Sequence, residues 1–396
     1  MIKIRTPQLR SEHFFSMFLV LFWGKDIIFS YIKGVLLRIP YIKLIANFYF
    51  PALIAVCLCL ALPYILSCIK PKDIIFILIA LLIYLSQIIL FPLNREYLLS
   101  VAPSFFVTVL SLYFVGLCID ENMHFKILYI SSVVNVFAFI FYITVLSADA
   151  SSDKLLYSGF MHRAYTLLPQ ILVIIGHAFK KANIFNITTG VVGSIVLATC
   201  GNRGSMLLLF VFIIICLFFF TERKLRKSVY TFIVIACASM ILFYEWIVER
   251  LSVFITTLGM SPRLLNYITS GGFFESNSRN VILENLFKMI GKNPLIGYGL
   301  ASDHIVTGSY AHNFVVELWT SFGVVIGTLL CIITAVVIIK SWANNKNSII
   351  LNVLVFAGFL KLFISNSFLF EGMFFLLLGY CVSLIRKDRQ IISKKG

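Results

Sequence analysis

Long apolar runs, separated by short polar connectors, dominate the sequence. The runs are roughly 17–25 residues long, the length at which an α-helix crosses about 30 Å of hydrocarbon, and they lack the alternation of a transmembrane β-strand. The pattern predicts an all-α, polytopic membrane bundle. It gives twelve candidate spans: 13–32, 49–69, 73–92, 98–118, 126–147, 160–179, 184–200, 205–220, 229–247, 312–339, 349–369 and 372–386.

One polar segment is far longer than the other connectors. It separates the ninth and tenth spans and divides the chain into nine spans over 1–247, a long loop over 248–311, and three spans with a tail over 312–396. Within the loop, apolar residues recur at helical spacing, which predicts an amphipathic helix on the membrane face or capping the bundle. They are Ile282, Leu283, Leu286, Phe287 and Ile290, and Gly291 and Pro294 end the predicted helix.

Composition and charge agree with a membrane protein. An average soluble domain carries about 25% charged residues, whereas 13% are charged here and 60% are hydrophobic. The net charge of +16 does not indicate nucleic-acid binding, because most of the lysines and arginines lie in short connectors. Nineteen fall in one alternate set of connectors and twelve in the other, which includes the long loop. By the positive-inside rule, both termini are cytoplasmic and the long loop is external.

Three local features complete the outline. No small-residue cleavage site follows the N-terminal apolar stretch, so we expect a retained first helix, broken where Lys25 and Asp26 interrupt it. Nine cysteines lie within or at the ends of apolar runs and predict neither disulfides nor a zinc site. We find no paired-carboxylate metal motif and no ATP-binding motif, so no metal or cofactor is expected.

The turn "ATCGNRGSML" between spans seven and eight is a candidate anion site. Arg203 stands between two glycines at the start of a helix. The N–H groups of Gly204, Ser205 and Met206 would lack helical partners there and would face an anion together with Arg203. The alternative is that Arg203 snorkels to the membrane interface.

Two further candidates flank the long loop. Arg279 stands at the start of the amphipathic helix, beside its positive end, although a surface arginine there is often inert. His312 opens the tenth span and is suited to accept a proton, with Glu317 one turn deeper to orient it. The alternative for His312 is an interfacial anchor. Gly297 and Gly299 permit a close backbone turn before it.

Other ionisable residues are less specific. Arg163, in the connector before the sixth span, is a candidate substrate contact. Lys361 lies deep in the eleventh span, where we expect it to pair with a carboxylate or a polar cluster. Glu371, in a short hairpin, is expected to be solvated.

Three segments in this order resemble the O-antigen polymerase and ligase superfamily: "CGNRGS", "SRNVILENLFKMIGKNPLIGYGL" and "AHNFVVELWTSFGVVIG". The resemblance covers about Ala198 to Gly327. It rests on Arg203, on Pro294 with Gly297 and Gly299, and on His312–Asn313 followed by Gly323. It implies a multi-spanning, C-type-like glycosyltransferase at the periplasmic face of a bacterial inner membrane.

The resemblance also implies substrates and residue roles. The donor would be a glycan on undecaprenyl pyrophosphate within membrane lipid, and the pathway's flippase and a chain-length regulator are possible partners. His312, Arg279 and Arg203 would be catalytic, and the substrate-binding residues would be Arg163, Asn313, Glu317, Gly297 and Gly299. A polymerase is favoured, an O-antigen ligase is the alternative, and a lipid-linked oligosaccharide transporter is the rival from another class.

Overall fold

A computed structural model describes residues 6–36, 43–141, 153–200, 202–220, 249–250, 253 and 278–393. The fold is all-α, as predicted: helix makes up 86% of it, and the described residues contain no strand. The predicted ninth span, 229–247, lies outside the described residues. Every other predicted span overlaps a helix.

The helices are numbered here in chain order, counting those that the structure describes. They are α1 (Thr6–Leu36), α2 (Lys43–Cys68), α3 (Pro71–Leu90), α4 (Arg95–Ser104), α5 (Leu112–Cys118), α6 (Glu121–Phe141), α7 (Asp153–Lys180), α8 (Ile184–Thr199), α9 (Arg203–Phe219), α10 (Ser278–Lys292), α11 (Ser302–Thr307), α12 (Phe314–Asn344), α13 (Ile349–Leu354) and α14 (Gly372–Ser393). Short 3₁₀ and π turns extend α4 at Pro92–Asn94 and Phe105–Leu110, and extend α13 through Val355–Phe359 and Leu360–Phe363.

Within the described residues, four helical stretches are long and apolar enough to cross a membrane. They are Pro71–Leu90, Pro92–Cys118, Glu121–Phe141 and Phe314–Asn344. Shorter apolar helices cover Ala52–Cys68, Ile184–Thr199, Arg203–Phe219 and Ile349–Phe363. The chain is therefore a helical membrane protein, and the count of twelve spans stays a prediction.

Two boundary predictions are wrong. The first helix is not broken at Lys25–Asp26 but runs unbroken from Thr6 to Leu36. The Lys25 ammonium lies 5.1 Å from the centroid of the Phe22 ring, a cation–π contact that accommodates the charge on the helix. Arg163 does not lie in a connector, because α7 already begins at Asp153.

The chain forms two compact units, 1–63 with 121–275 and 64–120 with 276–396. In the first unit, polar side chains bond between helices: the Trp23 indole donates to Ser132 Oγ at 3.2 Å, and Gln170 Nε2 donates to the Trp23 carbonyl at 2.5 Å. Such bonds satisfy polar groups that would otherwise be buried without partners.

In the second unit, α5 and α14 cross at contact distance of their backbones. A Cβ at Gly379 would lie 2.0 Å from the Tyr113 carbonyl oxygen, so only glycine fits there. Arg386 of α14 also forms a bidentate pair with Asp73 of α3, at 2.6 and 2.9 Å. These contacts fix α14 against α3 and α5.

Candidate functional site

The site is built around a break in α12. Gly323 has φ 79° and ψ 167°, which are not helical, so α12 consists of two helical halves. The prediction of one continuous tenth span is therefore corrected. A break exposes carbonyls at the end of the first half and an N–H at the start of the second, and these groups need partners.

The partners come from Pro294–Gly299, which we call the inserted segment. Tyr298 N–H donates to the Thr320 carbonyl at 2.8 Å, and Gly299 N–H donates to the Ser321 carbonyl at 3.0 Å. In return, Val324 N–H donates to the Pro294 carbonyl at 2.7 Å. The long loop thus satisfies the broken helix, which fixes its position relative to α12.

The two glycines of the inserted segment are required by this packing. Gly297 has φ 75° and Gly299 has φ 85°, a region that side chains other than glycine rarely adopt. A Cβ on Gly297 would lie 2.6 Å from Gly323 N, and a Cβ on Gly299 would lie 2.5 Å from the Phe91 ring. The observed role of both glycines is close packing, and their contact with substrate stays a prediction.

Two buried amides hold the other side of the inserted segment. Gln87 Oε1 accepts from Leu300 N–H at 3.1 Å. Asn94 Nδ2 donates to the carbonyls of Tyr298 and Leu300, at 2.7 and 3.0 Å. Sequence reasoning missed both residues, although an amide inside an apolar span, as at Gln87, is the signal that would have indicated a buried polar contact.

The predicted amphipathic helix is confirmed as α10. Leu286 and Ile290 are buried against Ala311 and Val316 at the start of α12, with Ile282 and Leu283 packed at the edge of this core. Phe287 does not belong to the buried face: it is 50% exposed. The helix ends at Lys292, between the two predicted stop signals.

His312 sits in an unusual environment. Its φ of 53° is left-handed, and its ring packs on Tyr310 with centroids 4.2 Å apart. Its Nδ1 is buried without a hydrogen-bond partner among the described residues. Burial first, and then the positive charge of Arg279, lower the pKa of His312 to about 4. The imidazole is therefore neutral at physiological pH and able to accept a proton.

Asp303 shapes the turn that carries His312. This buried carboxylate accepts from Ala311 N–H at 2.8 Å, directly before His312. Burial raises the pKa of Asp303, while the backbone N–H bonds oppose that shift. Sequence reasoning missed Asp303, because nothing in the string "ASDHIV" distinguishes a buried aspartate from a solvated loop residue.

Asn313 and Glu317, both predicted substrate contacts, have structural partners. Asn313 Oδ1 caps α12 by accepting from Val315 and Val316 N–H at 3.0 and 3.3 Å. Glu317 is buried and accepts from the Ser367 hydroxyl and, at 3.4 Å, from Phe368 N–H. The expectation that Glu317 orients His312 is thus corrected: its hydrogen bonds go to the loop after α13.

That loop, residues 364–371, contains the partner of the deep lysine. Lys361 Nζ lies 2.5 Å from a Glu371 carboxylate oxygen, and Asn366 Nδ2 donates to the same carboxylate at 2.8 Å. Pairing of Lys361 with a carboxylate is confirmed. The expectation that Glu371 is solvated is wrong, because its side chain is buried by this ion pair. The loop also ends the predicted eleventh span early, at Phe363.

Arg203 and Arg163 belong to the first unit. Arg203 begins α9 as predicted. Of the three N–H groups that were expected to face an anion beside it, two already have hydrogen-bond partners. Ser205 N–H bonds to Asn202 Oδ1 at 3.0 Å, and Met206 N–H bonds to the Asn202 carbonyl at 3.3 Å, so both are occupied. Arg163 lies on α7 and acts electrostatically on Cys200, which ends α8 in the turn before Arg203. A phosphate-binding role for these arginines stays a prediction.

The second unit brings together Arg279, His312, Asn313, Glu317, Gly297 and Gly299, which were selected from separate motifs. Fold and site define a class of helical membrane protein. In it, part of the long loop is inserted at a break in a candidate span, and the end of the same loop carries a neutral histidine in the field of an arginine. A protein family described as O-antigen ligase matches residues 188–332. The match supports the O-antigen polymerase and ligase superfamily for this part of the chain. No curated protein and no solved structure matches the chain.

Proposed function

We propose that the protein is an O-antigen polymerase of the bacterial inner membrane. It would join oligosaccharide repeat units carried on undecaprenyl pyrophosphate, at the periplasmic face. The observation that carries the proposal is His312, a neutral imidazole whose Nδ1 has no hydrogen-bond partner among the described residues, in the electric field of Arg279 and within the family region.

The chemistry follows from these two side chains. The His312 imidazole accepts the proton of an acceptor sugar hydroxyl, and the hydroxyl oxygen bonds to the anomeric carbon of the growing glycan. The bond from that carbon to the pyrophosphate oxygen breaks, and undecaprenyl pyrophosphate leaves. The imidazolium then loses its proton to water. The donor is already activated by its pyrophosphate linkage, so the reaction needs no nucleotide.

Arginine suits the leaving group. Negative charge develops on phosphate oxygens as the bond breaks, and a guanidinium stabilises it through bidentate hydrogen bonds. Arg279 would supply this charge, and its field adds to burial in lowering the pKa of His312. Arg203 is a further candidate phosphate ligand because of its place in the family region. With these cations we propose a metal-independent transferase, working beside the flippase and a chain-length regulator of the same pathway.

An O-antigen ligase is the second candidate, because the family that matches carries that description. Donor, leaving group and base would be the same. The acceptor would be the lipid A core instead of another lipid-linked repeat unit.

Lipopolysaccharide gels separate these functions. A strain lacking the gene would be complemented with wild type, His312→Ala or Arg279→Ala at equal membrane levels. Polymerase predicts a core bearing a single repeat in the deletion strain and in both variants, and a full ladder with wild type. Bare core with accumulated lipid-linked polymer would instead indicate the ligase, and an intact ladder in the deletion strain would reject both and favour transport.

A further inference from the structure

The length of α12 sets the level that we expect for the inserted segment relative to the hydrocarbon layer. Lys340 marks the charged end of the apolar stretch of α12. About 20 helical residues cover the ~30 Å of a bilayer core. Counted back from Lys340, this length reaches Thr320, beside the break at Gly323. The inserted segment bonds to α12 at this same level, through Thr320, Ser321 and Val324.

Two large aliphatic side chains stand exposed at its tip. Leu295 is 68% exposed and Ile296 is 66% exposed. On α12, directly after the break, Val325 is 64% exposed and Ile326 is 51% exposed. Because α12 is one of the helices long and apolar enough to span a membrane, we expect its exposed apolar residues to face lipid.

The tip is held on that surface. A Cβ on Gly323 would lie 2.2 Å from the Leu295 carbonyl oxygen, so the backbones of the segment and the break are in contact. With its hydrogen bonds to α12 in place, the segment cannot withdraw Leu295 and Ile296 into the protein core. Exposed to water they would form an unfavourable apolar patch, continuous with the lipid-facing surface of the helix.

We propose that Leu295 and Ile296 insert among the acyl chains of membrane phospholipid and anchor the long loop to the bilayer. The segment follows α10, which carries Arg279, and precedes α11 and the turn that carries His312. Anchoring it would hold both residues at a fixed height above the hydrocarbon. The inference depends on the spanning role of α12 and not on the reaction that the site performs.

The test uses the wild-type chain in lipid nanodiscs containing a phospholipid with a photoreactive diazirine on its acyl chain. After illumination, mass spectrometry maps the labelled residues. We expect label on Leu295 and Ile296 at a yield within about three-fold of that on Ile333, an exposed residue further along α12. The exposed charged residues Glu284 and Lys288 on α10 are the control and should carry at least ten-fold less label.

Label on Ile333 without label on Leu295 and Ile296 would overturn the proposal. The labelling is then repeated with polyprenyl phosphate added to the nanodiscs as a competitor. If it removed the label from Leu295 and Ile296 while leaving Ile333 labelled, the surface would belong to the lipid carrier and not to bulk phospholipid, and the assignment made here would be wrong.

Discussion

His312 shows how a single residue acquires its chemistry from its surroundings. A histidine in water has a pKa of about 6.5, and burial together with the nearby Arg279 charge lowers it to about 4 here. Protonation would place a second positive charge in a desolvated position, which is why the shift is downward. The imidazole, whose buried Nδ1 has no hydrogen-bond partner in the part of the chain that the structure describes, is thus neutral over the whole physiological range.

The pH dependence of activity tests this environment. We expect the rate of the wild-type chain to be constant near neutrality and to fall as the pH drops through about 4, where His312 becomes protonated. Arg279→Gln removes a charge that disfavours the imidazolium, so the midpoint should move upward, whatever the loss in rate. Arg279→Lys keeps the charge and is the matched control. An unchanged midpoint in Arg279→Gln would contradict the coupling.

Asp303 offers a second test at the residue scale. Asp303→Asn retains an oxygen that accepts from Ala311 N–H, whereas Asp303→Leu retains none. A buried hydrogen bond to a charged group contributes about 1.5–3 kcal/mol, so we expect the leucine variant to lose roughly ten-fold or more of the rate of glycan transfer. The asparagine variant should keep most of it.

Comparing kcat with KM separates positioning from folding damage for Asp303. If Asp303 positions His312, the leucine variant loses kcat at nearly constant KM and equal membrane level. Equal losses in the asparagine and leucine variants would show that the bond to Ala311 is not what matters.

At the scale of elements, the inserted segment and the break in α12 form one unit. Gly323→Ala should be strongly destabilising, because φ is 79° and a Cβ would lie 2.2 Å from the Leu295 carbonyl oxygen. Gly291→Ala is the control: Gly291 lies in α10, and a Cβ there meets nothing within 4 Å. Alanine is favoured over glycine in helices by about 0.5–1 kcal/mol, so this variant should be unharmed or more stable.

Thermal unfolding of the purified variants in detergent measures the difference between these glycines. We expect a clear loss of melting temperature for Gly323→Ala and none for Gly291→Ala. Similar melting temperatures for the two variants would contradict the packing described for the break.

The loop after α13 depends on the ion pair between Lys361 and Glu371. Removing one partner of a buried pair leaves an uncompensated charge, which costs about 3–5 kcal/mol. Lys361→Met or Glu371→Gln alone should therefore lower the melting temperature markedly. The double variant should recover much of the loss. If the double variant were as unstable as the sum of the single ones, the two residues would not act as a pair.

The sequence predicts the helices well and their interruptions poorly. Hydrophobic runs such as Pro71–Leu90 are recognisable because crossing lipid requires length and apolarity alone. The break at Gly323 is not, since apolar residues continue on both sides, and glycine is common in spanning helices. Pairing of Lys361 with a carboxylate was predictable, because burying an unpaired charge is costly. Which carboxylate is the partner was not predictable, because it depends on the path of the intervening loop.

Among the site residues, too, the sequence could indicate some and not others. Arg279 and His312 could be selected from the sequence because one stands at the start of an amphipathic helix and the other opens an apolar span. Asp303 and Asn94 could not be selected in this way. Asn94 bonds to the carbonyl of Leu300, which is far away in the sequence. Asp303 bonds to Ala311 N–H only because the chain turns between them. Glu317 was expected to orient His312, but its hydrogen-bond partners, Ser367 and Phe368, lie some fifty residues further along the chain.

For the whole molecule, the family region runs from α8 in the first unit to α12 in the second. It therefore includes the Arg203 turn, the long loop and His312. Each unit has its own packed helices, and the second holds the arrangement of break, inserted segment and histidine turn. The central proposal is that this molecule lengthens a lipid-linked glycan with His312 as the base.

The most direct test of that claim is transfer by the purified chain in nanodiscs, supplied with one lipid-linked repeat unit and nothing else. We predict carriers bearing two and more repeats with wild type, and at least a hundred-fold slower formation with His312→Ala at equal protein and equal melting temperature. Full activity of His312→Ala would contradict the assignment of the base. No elongation by wild type, with transfer appearing once lipid A core is added, would contradict the polymerase.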